Sequence, residues 1–312
     1  MSGFLKRLIR KTTKFIQDSD YRFLVLANRG KLKHLSSEIF LKKMYNIRTG
    51  RILNLDPPVL YTEKLQWLKI YDHRPEYTTM VDKYAAKQYV AERIGQEYII
   101  PLLGVWERVE DIDFDSLPNR FVLKTTHDSG AIIICKDKTK FDVKSAKKTL
   151  KYFLKRRYYD CNREWPYKNV QPRIIAEEYM EDSQYKELRD YKFFTFGGVP
   201  KVLYIAQGRG RGEPTVADFF DMEFNHLPFT IDHDMADVPP KKPVNFELMQ
   251  ELAAKLSAGT PQLRVDFYEV DGKVYFGEMT FFHCSGMELF HPEEWNKIFG
   301  DWVILPPKSG EE

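Results

Sequence analysis

Two acids, Asp266 and Glu278, stand twelve residues apart in a stretch otherwise built of strand-forming residues, Arg264 to Thr280. Asp271-Gly272 is a tight-turn dipeptide, so the stretch reads as a hairpin with one acid on each strand. Hairpin strands lie roughly 5 Å apart. Two carboxylates that close repel each other unless a cation sits between them. Oxygen-only ligands suit Mg²⁺, which takes one or two carboxylates together with nucleotide phosphates. Metal–nucleotide chemistry is therefore the first expectation.

Such a site also needs cations for the phosphates and backbone amides near them. Lys124 closes the apolar run Phe121-Val-Leu-Lys, and a lysine buried there must find an anion. The other reading is a lysine that snorkels from the strand end. The loop after it, Thr126-His-Asp-Ser-Gly130, has small residues that let amides approach a phosphate. Glu177-Glu178 follows Ile174-Ile-Ala176, and alternation turns one of the two inward. An inward acid could accept from a ribose hydroxyl or an adenine amine; the alternative is a solvated pair. His226 and His233 lie in an acidic stretch, Asp232-His-Asp234, but match no zinc spacing.

These residues need elements to hold them. Residues 1–56 read as helical and basic, with a break at Asn28-Arg-Gly30, and Asp56-Pro57-Pro58 punctuates them. Helices are expected over 61–71, 79–94, 143–157 and 246–257. The segment 98–106 is strand-like but holds Pro101, which puts it at an edge or a bend. Strands 121–124 and 131–135 form one hairpin, and 190–196 with 201–205 form another around Gly197-Gly198. A strand covers 173–180, and residues 221–245 are irregular. The pattern is α+β with antiparallel hairpins, not the alternation of a Rossmann fold. Neither GxGxxG nor GxxxxGK[ST] occurs.

The whole chain narrows the classes. Its 312 residues suffice for one large or two medium domains. A net charge of +3 is too small to argue for nucleic acid. The three cysteines are scattered and form no CxxC pair, so neither a disulfide framework nor a zinc site is expected, and a reducing cytoplasm is. No apolar run reaches the length of a membrane span. Residues 4–16 are basic and amphipathic. They suit either a helix on an anionic membrane surface or, the favoured reading, a helix packed on the body.

In this order the pieces resemble the ATP-grasp superfamily: Asp82-Lys83, Lys124 and its small-residue loop, Glu177-Glu178, and Arg264-x-Asp266 with Glu278-x-Thr280. Three stretches are more specifically similar to its TupA-like branch: 62–71 with 81–84, 121–130, and 264–268 with Gly277-Glu278. That branch is associated with teichuronopeptide, capsule and related cell-surface polysaccharide biosynthesis. The resemblance implies an ATP-grasp fold, two α+β subdomains gripping ATP, over residues 61–306. Residues 1–60 then form an N-terminal helical region, about 119–175 the nucleotide lobe, about 176–306 the metal and hinge lobe, and 307–312 a tail.

Roles follow from the resemblance. Lys83 and Lys124 would bind the α- and β-phosphates of ATP, and Ser129 and Gly130 would lie in the loop that covers them. Glu177, Glu178, Tyr179 and Met180 would form the adenine–ribose hinge. Asp266 and Glu278 would hold Mg²⁺, and Arg264 would face the transferred phosphate. Thr280 stands where the family has asparagine, a neutral oxygen ligand of shorter reach, which leaves the number of metal ions open. Ser285 and Gly286 would close near the second substrate. His283 could touch an acceptor or act as a base, or be structural. Arg209 and Arg211 in a glycine-rich loop could bind an anionic substrate, the alternative being a solvated loop.

The implied activity is ATP-dependent carboxylate–amine ligation through an acyl phosphate, attaching an amino acid to a uronic acid or similar group in cell-surface polysaccharide biosynthesis, with small-molecule or glycan carboxylates and amines as substrates. Its expected place is the cytoplasm, at the inner face of the membrane if residues 4–16 dock there. The alternatives are a glycosyltransferase using a nucleotide sugar and a non-catalytic ATP-binding protein.

Overall fold

The structure, a computed structural model, describes residues 3–183, 188–208 and 215–309, and of residues 3–9 only the backbone. Arg209 and Arg211 lie outside the described residues. Three helices come first: α1 (Gly3–Gln17), α2 (Ser19–Asn28) and α3 (Ser37–Thr49). Asp18 caps α2 by accepting from the N–H groups of Asp20 and Tyr21, and Ser36 caps α3 through Ile39. Phe40, Leu41 and Met44 of α3 close a small core with Met287, from near the other end of the chain.

Helix α4 (Tyr61–Tyr71) has the expected span. The helix expected over 79–94 is instead two, α5 (Glu76–Val81) and α6 (Ala85–Ile94). Asp82 explains the break. Its Oδ1 accepts from the N–H groups of Tyr84 and Ala85, at 2.9 and 3.4 Å, and so starts a new helix. Lys83 is thereby left between helices rather than on one.

A four-stranded antiparallel sheet follows, in the order β1–β4–β2–β3: β1 (Leu102–Trp106), β2 (Phe121–Thr125), β3 (Ile132–Cys135) and β4 (Ile174–Glu178). β1 begins just after Pro101 and lies at the edge, where a missing ladder donor costs least. Helix α7 (Val143–Leu154) buries Leu150 in one core with Phe121 and Leu123, and the short α8 (Tyr158–Asn162) leads away from it.

The second sheet has six antiparallel strands: β5 (Asp190–Phe196), β6 (Val199–Gln207), β7 (Val216–Phe220), β8 (His226–Leu227), and then, after the short β9 (Thr230–Ile231), β10 (Gln262–Val270) and β11 (Lys273–Thr280). Their order is β11–β10–β5–β6–β7–β8. Helix α9 (Phe246–Ser257) joins Phe193, Val265 and Phe267 in the main core. Side chains alternate along a strand, so the neighbours of these residues, Lys192, Arg264 and Asp266, turn to the opposite face. β12 (Phe290–His291) pairs with β9, and α10 (Glu294–Trp302) closes the fold. Among the described residues no helix is long and apolar enough to cross a membrane.

Candidate active site

Strand register assembles the first half of the site. Asp266 lies directly opposite Glu278 on β11 and Lys192 on β5, and Lys192 lies opposite Tyr204 on β6. Directly paired residues share a face of the sheet, so these four form a row across it. Arg264 opposite Thr280 makes a second rung two residues along. A bulge follows Asp266, because Phe267 pairs with Phe276 and Gly277 is left over. A Cβ at Gly277 would stand 3.0 Å from the Asp266 carbonyl oxygen, a crowded approach that favours glycine.

Arg264 is the hub. Its Nε donates to Asp266 Oδ1 at 2.7 Å and its Nη2 to Asp266 Oδ2 at 2.8 Å, a bidentate pair. Nη2 also reaches Glu278 Oε1 at 2.8 Å and Thr280 Oγ1 at 3.0 Å. The cation between the two acids in this structure is therefore a guanidinium. Burial acts to lower the Arg264 pKa, but Asp266 and Glu278 outweigh it and hold it above its ordinary value. Lys192 adds a second cation, 2.5 Å from Asp266 Oδ2 and 3.1 Å from Asp190.

His283 receives a hydrogen bond from Arg264, Nη1 to Nδ1 at 2.6 Å. A guanidinium can only donate, so Nδ1 carries no proton and the imidazole is neutral. Its ring sits edge-on to Phe194, with centroids 5.1 Å apart. This geometry uses Nδ1 to orient Arg264, while the residue lines the cavity.

The second half stands on the four-stranded sheet. Lys124 and Glu177 occupy diagonal positions on β2 and β4, since Lys124 pairs with Ile175 and Val122 with Glu177. Their side chains meet at 2.5 Å, and Lys87 of α6 reaches the other Glu177 oxygen at 2.6 Å. The anion that Lys124 finds is thus Glu177. Burial would raise the Glu177 pKa, but the two lysines prevail and keep it below its ordinary value. Each Glu177 oxygen thus accepts from one lysine. Glu178 is exposed. Tyr179 lies under the Arg120 guanidinium at 4.2 Å and bonds Glu181 at 3.3 Å, and Met180 follows it towards the six-stranded sheet.

Lys83 joins the two halves. Its Nζ donates to the Asp128 carbonyl at 2.6 Å, at the foot of the loop that carries Ser129 and Gly130. Gly130 takes φ +96° with open space around it. Burial pushes the Lys83 pKa down, Glu278 pulls it back up, and Lys124 adds to the depression. It therefore senses both sheets.

Beyond the hairpin, Cys284, Ser285 and Gly286 all take positive φ, at 45°, 56° and 62°. Such a turn needs outside support. Lys69 provides it, bonding Ser285 Oγ at 2.7 Å and Ser285 O at 2.8 Å, while Gln66 holds the Gly286 carbonyl at 2.8 Å. Lys69 is 2% exposed, and burial pushes its pKa down to about 8, with Glu164 opposing. Burial raises the Glu164 pKa in turn, with Lys69 opposing.

These groups open on two neighbouring spaces that share lining residues. A cavity of about 410 Å³ is lined by Ser129, Lys192, Arg264, Thr280, His283 and Ser285 among others. A narrow cleft of about 50 Å³ between the sheets is lined by Lys87, Lys124, Glu177 and apolar residues such as Val81, Phe276 and Met279. Lys83, Tyr167 and Glu278 line both.

The family model of TupA-like ATP-grasp proteins matches residues 63–304, most of the chain. The chain belongs to the TupA-like ATP-grasp family. Its two antiparallel sheets facing each other over a cleft are the two halves of that fold, and ATP-dependent ligation is the chemistry of the class. No curated protein matches the sequence. Solved structures that it resembles include D-alanine–D-alanine ligase from Bacillus anthracis, at 17% identity and TM-score 0.39, covering 67% of this chain and 58% of that one. The D-alanine–D-alanine ligase of Helicobacter pylori follows at 13% and 0.41, covering 78% and 69%. A RimK domain ATP-grasp protein from Sphaerobacter thermophilus stands at 11% and 0.40, covering 79% and 71%. The chain thus spans little more than half of the first of these, and its ATP-grasp assignment rests on the family match.

Three site residues of this ATP-grasp chain escaped the sequence reading. Lys192 interrupts an apolar strand as Lys124 does, in Tyr191-Lys-Phe-Phe, and the same argument finds it. Lys87 reads from sequence as a solvated helical lysine, and only the packing of α6 on β4 reveals it. Lys69 is likewise hidden on α4.

Proposed function

We propose that the protein is an ATP-dependent carboxylate–amine ligase working through an acyl phosphate. The observation that carries this reading is the continuity of the lysine-lined cleft with the acid hairpin, through Lys83 and Glu278. ATP would lie with its base in the apolar part of the cleft, against the Glu178–Met180 connection. Its phosphates would lie along Lys124, Lys83 and Lys192, under Ser129 and Gly130. Glu177 would hold Lys87 and Lys124 in place.

Asp266, Glu278 and Thr280 would hold Mg²⁺, which when bound neutralises phosphate oxygens. The donor set fits, being all oxygen, and Glu278 is half-exposed to the cavity. Arg264, held by His283, would turn from the acids to the transferred phosphoryl group. In the first step a carboxylate oxygen bonds the γ-phosphorus, the β–γ bridging P–O bond breaks, and ADP leaves. In the second an amine nitrogen bonds the acyl carbon, the C–O bond to phosphate breaks, and phosphate departs with the amine's proton. The turn at Ser285-Gly286 borders the space where that amine would arrive.

The carboxylate is proposed to be that of an amino acid or of a uronic acid in a cell-surface glycan, at the cytoplasmic face of the membrane. The family's association with such polysaccharides supports this. The test is thermal stabilisation by ATP with Mg²⁺ against UDP-sugars, followed by ADP release with candidate uronic and amino acids. Stabilisation by ATP and donor-dependent ADP release are expected. Stabilisation by a UDP-sugar alone would move the reading to glycosyl transfer. ATP binding with no turnover on any donor would move it to a non-catalytic role.

A further inference from the structure

We propose that the far end of the large cavity, walled by Arg48, Asp232, His233 and Glu288, is an acceptor subsite for a zwitterion, with an ammonium held at Glu288 and Asp232 and a carboxylate at Arg48. The word acceptor rests on the ligase reading; the binding site itself does not. The four residues line the same space as Arg264 and Glu278, so a molecule held there borders the reacting phosphate.

Charge decides the class of ligand. Arg48 acts on Glu288 through space, yet among the described residues neither has a hydrogen-bond or ion-pair partner. Both line one cavity, and a ligand that carries both charges would answer the two at once. Burial pushes the Glu288 carboxyl pKa up, and neighbouring Asp232 adds to this, while Arg48 and His233 pull it back. An arriving ammonium would relieve that cost. A metal ion is the rival occupant of two acids and a histidine. Among the described residues, however, no three His, Cys, Asp or Glu side chains converge to hold one. Asp232 is partly engaged already, with His233 Nε2 3.4 Å away, which leaves Glu288 as the open acid.

The wall is also firmly built. Arg48 and Met44 project from α3, which lies before residue 63, where the family match begins. Met44 packs with Met287 in the core of the first helices, and that contact sets α3 against the turn that carries Glu288. Asp232 and His233 follow β9, whose pairing with β12 ties them to the same turn. The N-terminal helices therefore supply part of the site that the family domain leaves open, and selectivity for the second substrate resides there.

The experiment is calorimetric titration of the full chain with the common α-amino acids, each beside its α-amide and its decarboxylated amine. Every titration is run alone and with Mg²⁺ and a non-hydrolysable ATP analogue. At least one amino acid is expected to bind, with its amide and amine at least about tenfold weaker. Arg48→Ala should erase the preference for acid over amide, and Glu288→Gln should weaken amino acid and amine alike. Neither should alter binding of the ATP analogue. Arg48 is exposed and unpaired, so its loss leaves the fold intact. A preference that survives Arg48→Ala overturns the proposal, as does the absence of any bound amino acid. If an amino acid binds and the ATP analogue never does, the ligase reading falls and the subsite stands. If the analogue binds and no amino acid does, the subsite falls and the ligase reading stands.

Discussion

The two faces of the cleft carry opposite imbalances of charge. On the side of the four-stranded sheet, Lys87 and Lys124 share one buried carboxylate, Glu177, and Lys83 stands near them on the Asp128 carbonyl. On the side of the six-stranded sheet, Asp190, Asp266 and Glu278 outnumber Arg264 and Lys192. One face is short of anions and the other of cations. A nucleotide polyphosphate answers the first and a divalent cation the second, so ATP with Mg²⁺ would complete both. The internal ion pairs then act as place-holders that keep charged groups solvated by each other until substrate arrives.

The largest effect is expected from removing the place-holder of the first face. Glu177→Gln leaves Lys87 and Lys124 buried without their partner, and losing one member of a buried ion pair costs about 3–5 kcal/mol. The variant should unfold at markedly lower denaturant than the parent. ATP should then restore more stability to the variant than it adds to the parent, because phosphate replaces the missing carboxylate. Equal stabilisation of the two by ATP in a thermal melt would mean that these lysines do not face the phosphates.

The second face should respond in rate rather than in stability of the nucleotide complex. Asp266→Asn removes a carboxylate that orients Arg264 and would hold the metal. A fall of roughly 100- to 1000-fold in ATP-dependent turnover is expected, the size seen when one group that stabilises transition-state charge is lost. Nucleotide binding, which draws on Lys83 and Lys124 of the other face and on Lys192, a lysine that the substitution keeps, should survive. ADP release and ATP-induced thermal shift, measured side by side, separate the two quantities. If both fall together, the division of labour between the faces is wrong.

The same contrast explains what the sequence disclosed. Asp266, Glu278 and Lys124 are charged residues inside apolar strands, and such interruptions are visible because burying a charge is costly. The hairpins around them were legible for the same reason, since alternation and a two-residue turn are local features. Lys69 and Lys87 sit on helices, where a lysine every few residues is ordinary, and tertiary packing alone turns them inward. Asp82 shows a different limit. The apolar periodicity runs on across it, and only its side-chain bonds to Tyr84 and Ala85 break the helix and leave Lys83 between helices. The part played by α3 in the cavity was invisible, because it depends on contacts between residues more than two hundred positions apart.

Lys69 sharpens the comparison from outside the cleft, since the acid that opposes its shift, Glu164, is buried as well. Its pKa in the folded chain is about 8, below the ordinary 10.5 expected when unfolded. Between those values the unfolded chain holds a proton that the folded chain has released. Stability therefore rises with pH through this window and falls as pH drops back to 8. The parent should gain on a Lys69→Met variant by roughly 4–8 °C in melting temperature from pH 8 to 10, the equivalent of about 2 kcal/mol. A constant difference across that range would place Lys69 in full ionic contact with Glu164.

The smallest change should come from Thr280→Asn. In the structure Thr280 Oγ1 accepts from Arg264 Nη2 at 3.0 Å and donates to Glu278 Oε1 at 3.2 Å. An asparagine amide offers the same pair of functions on a longer arm, one oxygen to accept and one NH₂ to donate. Net worth is about 1 kcal/mol for a neutral hydrogen bond, so keeping both contacts should hold turnover within about fivefold of the parent. The longer reach should show instead in the metal, as a lower Mg²⁺ concentration for half-maximal ADP release. Thr280→Ala, which loses both contacts, is the control and should shift the requirement the other way. If the asparagine variant loses turnover as heavily as Asp266→Asn, the hydroxyl holds Arg264 in a way that an amide cannot, and Thr280 belongs with the groups that move the phosphoryl rather than with those that hold a cation.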